Sequence, residues 1–368
     1  MAKILYFGSS SPGSTTAHRA KALERMGHVV MSYNPAGAIT GLLSSHWLNP
    51  VHFRTGYRLV QAQLSRWMGQ LLSSIPSPDL VIVNSGELLG PACLVALKQL
   101  NCPVVLYNND DPTGGRDGNR FDMLLQSVPY YDLCVVRRKE NVEEYKALGA
   151  KKVLLVRMSY DEVAHKPFAD SSEIPAIYQS DVAFIGTWMR GEKRDEFLLA
   201  LKQQGIAVSI WGHRWEKSPL WKELKPNYRG GALNGPAYVA AIQGSKLCLG
   251  FLSKGNRDLH TRRSVEIPFA GGLLCAERTS EHLEMYAEGT EALFWADAAE
   301  CAAVCKKMLA DDTQREEIRQ AGMRRVKALG VGNETICNLI IQASLSLKDF
   351  RKPTSSHPFY EIATTTSI

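Results

Sequence analysis

Asp258-Leu-His-Thr-Arg-Arg-Ser-Val-Glu-Ile-Pro-Phe-Ala-Gly-Gly272 runs directly into the apolar stretch Leu273-Leu-Cys-Ala276. The order reads as a loop, a short helix, a Gly-Gly stop and a buried strand, the repeating unit of a parallel α/β sheet. Asp258 and Glu266 bracket the loop, with His260, Thr261, Arg262 and Arg263 between them. The two arginines fall where the helix begins, and free N–H groups and the macrodipole already favour anions there. Adding two guanidiniums suits the site to a diphosphate. Glu266, a little further into the helix, is placed to accept hydrogen bonds from the hydroxyls of a sugar.

Working outward, the same alternation fills the chain. Lys3–Phe7 is an apolar strand, residues 8–13 a small-residue loop, residues 15–26 a helix with Ala17, Ala20, Leu23 and Met26 on one side, and Val29–Tyr33 a second strand. This βαβ unit calls for a parallel sheet. Further strands are expected at Leu80–Asn84, Val104–Tyr107, Leu133–Val136 and residues 153–156, and one long helical piece at residues 41–74, which carries Trp47 and Trp67. Residues 161–177, with Pro167 and Pro175, read as a linker. The pattern then restarts, with strands at residues 181–185, Val208–Trp211, 247–251, 273–276 and 292–295. The expected division is 1–165, 178–332, and a C-terminal helix with a Ser/Thr/Pro-rich tail over 333–368.

With 368 residues, 45% of them hydrophobic, the chain can bury two sizeable cores. A net charge of +6 with scattered Lys and Arg fits an enzyme of anionic substrates and does not demand nucleic acid. Eight cysteines form no Cys-x-x-Cys pair; Cys301 and Cys305 stand one helical turn apart with no neighbouring pair to complete a zinc site, and Cys134, Cys248 and Cys275 read as small core residues. A reduced, cytoplasmic setting is expected. No stretch approaches the length of a transmembrane helix.

The loop after the first strand lacks Gly-x-Gly-x-x-Gly and a Walker sequence, which disfavours NAD enzymes and P-loop kinases. His-Glu-x-x-His and Gly-x-Ser-x-Gly are absent too. Gly186-Thr187-Trp-Met-Arg190-Gly-Glu-Lys193 opens the second half with a glycine turn and two cations at a helix start, a second phosphate-friendly element. Trp211-Gly212-His213-Arg-Trp215 follows a strand and either flanks a base or simply turns the chain. Asp110-Asp111-Pro112 ends a first-half strand, where acids face the ligand crevice of an open sheet, although the same composition makes ordinary turns. His165 reads as a cleft residue or a plain surface one. Thr279 and His282 either reach a sugar or cap a helix.

The run from Asp258 to Thr279, with Glu281-His282 and Glu288-Gly289-Thr-Glu291, resembles the group 1 glycosyltransferases of the spore-maturation CgeB-like type over about residues 182–326. In the first half the likeness is carried by Ser14-Thr-Thr-Ala-His18-Arg19, Asp110-Asp111-Pro112 and Gly149-Ala-Lys-Lys-Val153. The resemblance implies an α/β chain of GT-B architecture, two Rossmann-like domains facing across a cleft. It implies a nucleoside-diphosphate sugar donor, no other cofactor, no bound metal and a retaining outcome. On this likeness Glu266 takes the ribose hydroxyls, and Arg190, Lys193 and Arg263 the diphosphate. Gly186, Thr187, Gly212, His213, His260, Thr261 and Arg262 line the same donor site. Asp258 handles the donor sugar in a position where many relatives carry Glu. Asp110 and Asp111 are the further catalytic candidates, and Gly13, Ser14 and His18 lie on the acceptor side. The acceptor is a glycan, protein, small molecule or, as a rival, DNA. A nucleotide-sugar epimerase and a non-catalytic nucleotide-sugar-binding protein are the rival functions.

Overall fold

A computed structural model describes residues 1–44, 47–345 and 361–364. Its strands are β1 (Lys3–Phe7), β2 (Val29–Tyr33), β3 (Leu80–Asn84), β4 (Val104–Tyr107), β5 (Leu133–Val136), β6 (Lys152–Leu155), β7 (Ser180–Ile185), β8 (Val208–Trp211), β9 (Tyr228–Gly230), β10 (Ser245–Gly250), β11 (Leu274–Glu277), β12 (Leu293–Trp295) and β13 (Glu361–Thr364). Contacts divide the chain into two compact units, Met1–Arg157 with Asn333–Ile368, and Met158–Gly332.

The first unit holds a sheet in the order β13-β6-β5-β4-β3-β1-β2, parallel throughout except for β13, which pairs antiparallel to β6. Strands β3, β4 and β5 are buried along their whole length, as continuous apolar runs require when helices cover both faces. Leu5, Phe7, Val81, Val83, Val104 and Leu106 face one core, which includes Leu64, Met68, Cys93 and Leu97 from the helices Gln61–Ser74 and Pro91–Lys98. Ile4, Tyr6, Leu80, Ile82, Val105 and Tyr107 face the other, closed by Leu23 from the helix Thr15–Arg25 and by Ile336, Ile340 and Ile341 from the helix Asn333–Leu345. At about 1.5–3 kcal/mol for each large side chain, these two layers carry the unit.

Two local details depart from the sequence reading. The expected helix over residues 41–74 is broken: Thr40–Leu43, Leu48–Arg54 and Gln61–Ser74 are separate helices. Gly56 and Tyr57, both left-handed at φ 60° and 59°, turn the chain between the last two. Residues 161–177 contain only turns and short 3-10 segments, as a linker would, but they belong to the second unit and bury His165 there.

The second unit carries the parallel sheet β12-β11-β10-β7-β8-β9. The chain enters at β7, steps outward through β8 and β9, then returns to the other side of β7 as β10. The β7/β10 border is therefore a topological switch point, where loops at the strand carboxyl ends diverge and leave a crevice. Strand β9 lies outside what the sequence suggested, since Tyr228-Arg-Gly is too short to show an alternating pattern. The loops after β7 and β8 meet backbone to backbone: Gly212 has φ 146°, and a Cβ there would lie 2.0 Å from the Gly186 carbonyl oxygen. Among the described residues no helix is long and apolar enough to cross a membrane.

Gly212→Ala should therefore lose stability by at least about 2 kcal/mol in urea denaturation, because backbone rather than a flexible side chain blocks the methyl. A midpoint equal to the parent's would show that the loops separate freely.

Candidate functional site

Two arginines tie the switch point of the second unit together. Arg194 donates from its two terminal nitrogens to the carbonyl oxygens of Thr187 (2.9 Å) and Leu252 (3.0 Å), bridging the loops that follow β7 and β10. Arg263 opens the helix Arg263–Phe269 and donates from Nε to the carbonyl of Ile185, the last residue of β7 (3.1 Å). Lys254 adds a backbone N–H to Glu192 (3.1 Å). These contacts fix the loops that follow β7 and β10 against each other.

Glu266 lies beside these contacts, only 1% exposed. Tyr238 donates its hydroxyl to Oε2 at 2.7 Å, and Arg263 pairs with the same oxygen while its guanidinium lies over the Tyr238 ring. Oε1 faces Arg262 at 3.8 Å and His165 Nε2 at 3.7 Å. The backbone N–H of Asp161 donates to His165 Nδ1, so the ring proton sits on Nε2 and points to the carboxylate. Burial alone would raise the Glu266 pKa. The Arg262 and Arg263 charges, the facing His165 ring and the Tyr238 hydrogen bond outweigh it and hold the group at about 2. The carboxylate is ionised at neutral pH, and its Oε1 side is the less heavily bonded.

The helix Arg263–Phe269 has seven residues and contains Pro268, so its dipole is small and the guanidiniums carry the anion-binding potential. The Arg262 side chain is 45% exposed and that of Arg263 28%. Arg190 and Lys193 are exposed in the loop after β7, with Lys193 left-handed at the cap of the helix Arg194–Gln203. Gly186 and Thr187 line the end of β7, and His213 is exposed after β8. Thr261 donates its backbone N–H to Ser264 Oγ, and Asp258 is buried.

Several expected roles are taken by the fold instead. His260 is 4% exposed: it accepts from the Met158 N–H through Nε2 and pairs through Nδ1 with Glu281. Both ring nitrogens are committed, so it supports the loop rather than reaching a ligand. Trp211 and Trp215 do not flank an open face. Both are buried, and Trp215 donates to the Gly186 carbonyl. Thr279 caps the helix Ser280–Met285 through the His282 N–H, and His282 is pinned between Ser264 and the Glu277 carbonyl. Tyr238, Arg194 and the pairing of His165 with Glu266 had no sequence signal. Tyr238 sits in an apolar helix, Gly235–Gln243, where an aromatic reads as core, and Arg194 is indistinguishable in sequence from its exposed neighbour Lys193.

The first unit has its own switch point, between β1 and β3. A cavity of about 210 Å³ opens there, lined in part by Gly8, Ser9, Thr16, Asn34, Asn84 and Ser85. Gly13 and His18 are not among its lining residues, and Ser14 serves as helix cap, accepting from the Ala17 N–H. Buried arginines surround the strand ends. Arg19 donates to Asn84 and Asn109 and lies 3.9 Å over the Tyr107 ring; Arg137 donates to the Tyr107 hydroxyl; Arg138 donates to the carbonyls of Asn109 and Asp110. The two acids after β4 differ. Asp111 is 4% exposed and accepts from Asn141, while the Asp110 side chain is 32% exposed.

Residues 193–329, most of the second unit, match a family model described as glycosyl transferase-like. No curated protein matches the chain. Among solved structures it is similar to a sucrose-phosphate synthase from Thermosynechococcus elongatus, at 13% identity over 95% of this chain and 100% of that one, TM-score 0.69. It is similar also to HepE of Anabaena in complex with UDP and glucose, at 16% identity over 94% and 100%, TM-score 0.66. A third is MnaA of S. aureus bound to UDP, at 13% over 97% and 100%, TM-score 0.56. These likenesses establish the fold: α/β, of the GT-B class with two Rossmann-like domains.

Removing the Glu266 carboxylate takes the acceptor from the half-buried Arg263 guanidinium and from the buried Tyr238 phenol. Glu266→Ala is therefore expected to cost about 3–5 kcal/mol of folding free energy rather than leave the fold intact. Because the folded-state pKa lies below the ordinary value of 4.5, the carboxylate's stabilisation is complete above about 4.5 and is lost as pH falls toward about 2. Urea denaturation across that window should show the loss in the parent, worth roughly 3 kcal/mol, and a flatter profile in Glu266→Gln. Identical profiles would mean that the carboxylate has no folded-state partner.

Proposed function

We propose that the chain is a glycosyltransferase that moves a sugar from a nucleoside-diphosphate sugar to a hydroxyl acceptor. The observation that carries this reading is the ionised, buried Glu266 beside Arg262 and Arg263 at the β7/β10 switch point, within the segment that matches the glycosyl transferase-like model. A carboxylate for a vicinal diol next to guanidiniums for a diphosphate is the recognition chemistry of a nucleotide's ribose and pyrophosphate. The likeness to structures holding UDP makes the uridine diphosphates the first donors to test.

The barrier to transfer is charge separation, an oxocarbenium-like sugar against a departing diphosphate. Arg262 and Arg263, with Arg190 and Lys193 from the loop after β7, stabilise the developing phosphate charge. This is electrostatic stabilisation by groups already in place. Arg263 is preorganised by Ile185 and Glu266, so little reorganisation is needed when the bond breaks. Glu266 offers Oε1 to the ribose, since Tyr238 and Arg263 occupy Oε2. Asp258 is the acid nearest in sequence for the donor sugar, and the configuration at the anomeric carbon is retained. These cations do the work a divalent ion would otherwise do, so activity should survive exhaustive EDTA treatment.

The acceptor belongs to the first unit, at the strand carboxyl ends where the β1/β3 cavity opens. Asp110, its carboxylate partly exposed beside Arg120, is the acid available to an incoming hydroxyl; Asp111 is held inward by Asn141.

Calorimetry with UDP is the direct test of the donor site. Arg262→Ala, on a half-exposed side chain, should weaken UDP binding about tenfold, one charge-assisted contact, with no more than about 1 kcal/mol of stability lost through its pairing with Glu266. Equal affinity would place the diphosphate elsewhere. Asp110→Ala should fold with stability within about 0.5 kcal/mol of the parent and lose about a hundredfold in transfer rate. Asp111→Ala should instead lose about 1–3 kcal/mol of stability. Full turnover by Asp110→Ala would remove that residue from the reaction.

A further inference from the structure

Away from the switch point, the second unit gathers three thiols. Cys301 and Cys305 lie one turn apart on the helix Ala298–Ala310, and Cys275 projects from β11. Their sulfurs all lie within 4.8 Å of one another, and each residue is 0% exposed. In register, Leu249 and Leu293 flank Cys275, so the triangle sits between the sheet and the helix in an apolar layer. The sequence shows only the Cys301/Cys305 pair; the fold brings in the third sulfur.

We propose that Cys275, Cys301 and Cys305 form a trigonal, all-sulfur binding site for a soft monovalent metal ion, Cu(I) being the class it fits. Ligand softness is the first argument, since three sulfurs with no oxygen or nitrogen select thiophilic ions. Geometry is the second. Metal–sulfur bonds of about 2.3 Å in a trigonal plane set sulfurs about 4 Å apart, so the triangle needs to contract by less than an ångström through small side-chain rotations. Coordination number is the third. Among the described residues no fourth Cys, His, Asp or Glu joins the group, and structural zinc sites almost always take four ligands. Binding displaces the thiol protons to solvent as the metal–sulfur bonds form, with no change of oxidation state. Entry requires local opening of the helix Ala298–Ala310, an event well below global unfolding in cost.

The test is anaerobic titration of the full chain with Cu(I) held by a chromophoric chelator, followed by copper K-edge absorption. The expected result is one Cu(I) withdrawn per chain, with three sulfur neighbours and a raised thermal midpoint. Cys301→Ala and, as a separate variant of parent size, Cys301→Ser should each lose that uptake while keeping UDP affinity, which separates this site from the proposed donor site. The proposal is overturned if the chelator keeps its copper. It is overturned equally if a variant lacking all three thiols takes up as much copper as the parent, or if Zn(II) competes on equal terms.

Discussion

A carboxylate with 1% exposure survives in a protein interior only if its charge is answered, and the answer to Glu266 organises the second unit. Arg263 supplies the opposite charge and in the same reach fastens its helix to the end of β7 through the Ile185 carbonyl. Tyr238 comes from the helix before β10, and His165 from the segment before β7. Two stretches of chain far apart in sequence therefore meet one side chain, and Arg263 ties it to a third. Stability and the proposed ligand chemistry share that residue.

The first unit solves a related problem with the signs reversed. Its strand carboxyl ends carry Arg19, Arg137 and Arg138, all nearly inaccessible, answered by amide oxygens, a phenol and backbone carbonyls. Neutral acceptors stabilise a guanidinium without cancelling it. The two switch points are thus not copies. One presents an ionised acid wrapped in cations, the other a set of polar side chains and a small cavity.

Most of the sheet was legible in the sequence because fully buried parallel strands are uninterrupted apolar runs, and Leu80–Asn84 and Val104–Tyr107 stand out on that ground. What escaped was either short or settled by distance. Tyr228–Gly230 is too brief to show a period, and the break at Gly56-Tyr57 turns on left-handed residues inside a helical composition. The pairing of Arg262 and Arg263 with Glu266 was legible because they are neighbours on one helix turn. The contacts of His260 were hidden, because nothing local reveals that Met158 and Glu281 hold both its nitrogens. Tyr238 and His165 were hidden for the same reason, since their roles exist only once the chain has folded back on itself.

The antiparallel pairing of β13 with β6 bears on how the chain behaves in company. An unpaired ladder at a sheet margin is a template for strands of other molecules. In the second unit the margins are β9 and β12, three residues each, too brief to recruit a neighbour. In the first unit Glu361–Thr364 occupies the hydrogen-bonding groups of Lys152–Leu155 that would otherwise face outward. Among the described residues the margins of that sheet are therefore the four residues of β13 and the five of β2, so the ladder of Val29–Tyr33 is the longest one left open to a strand from another molecule.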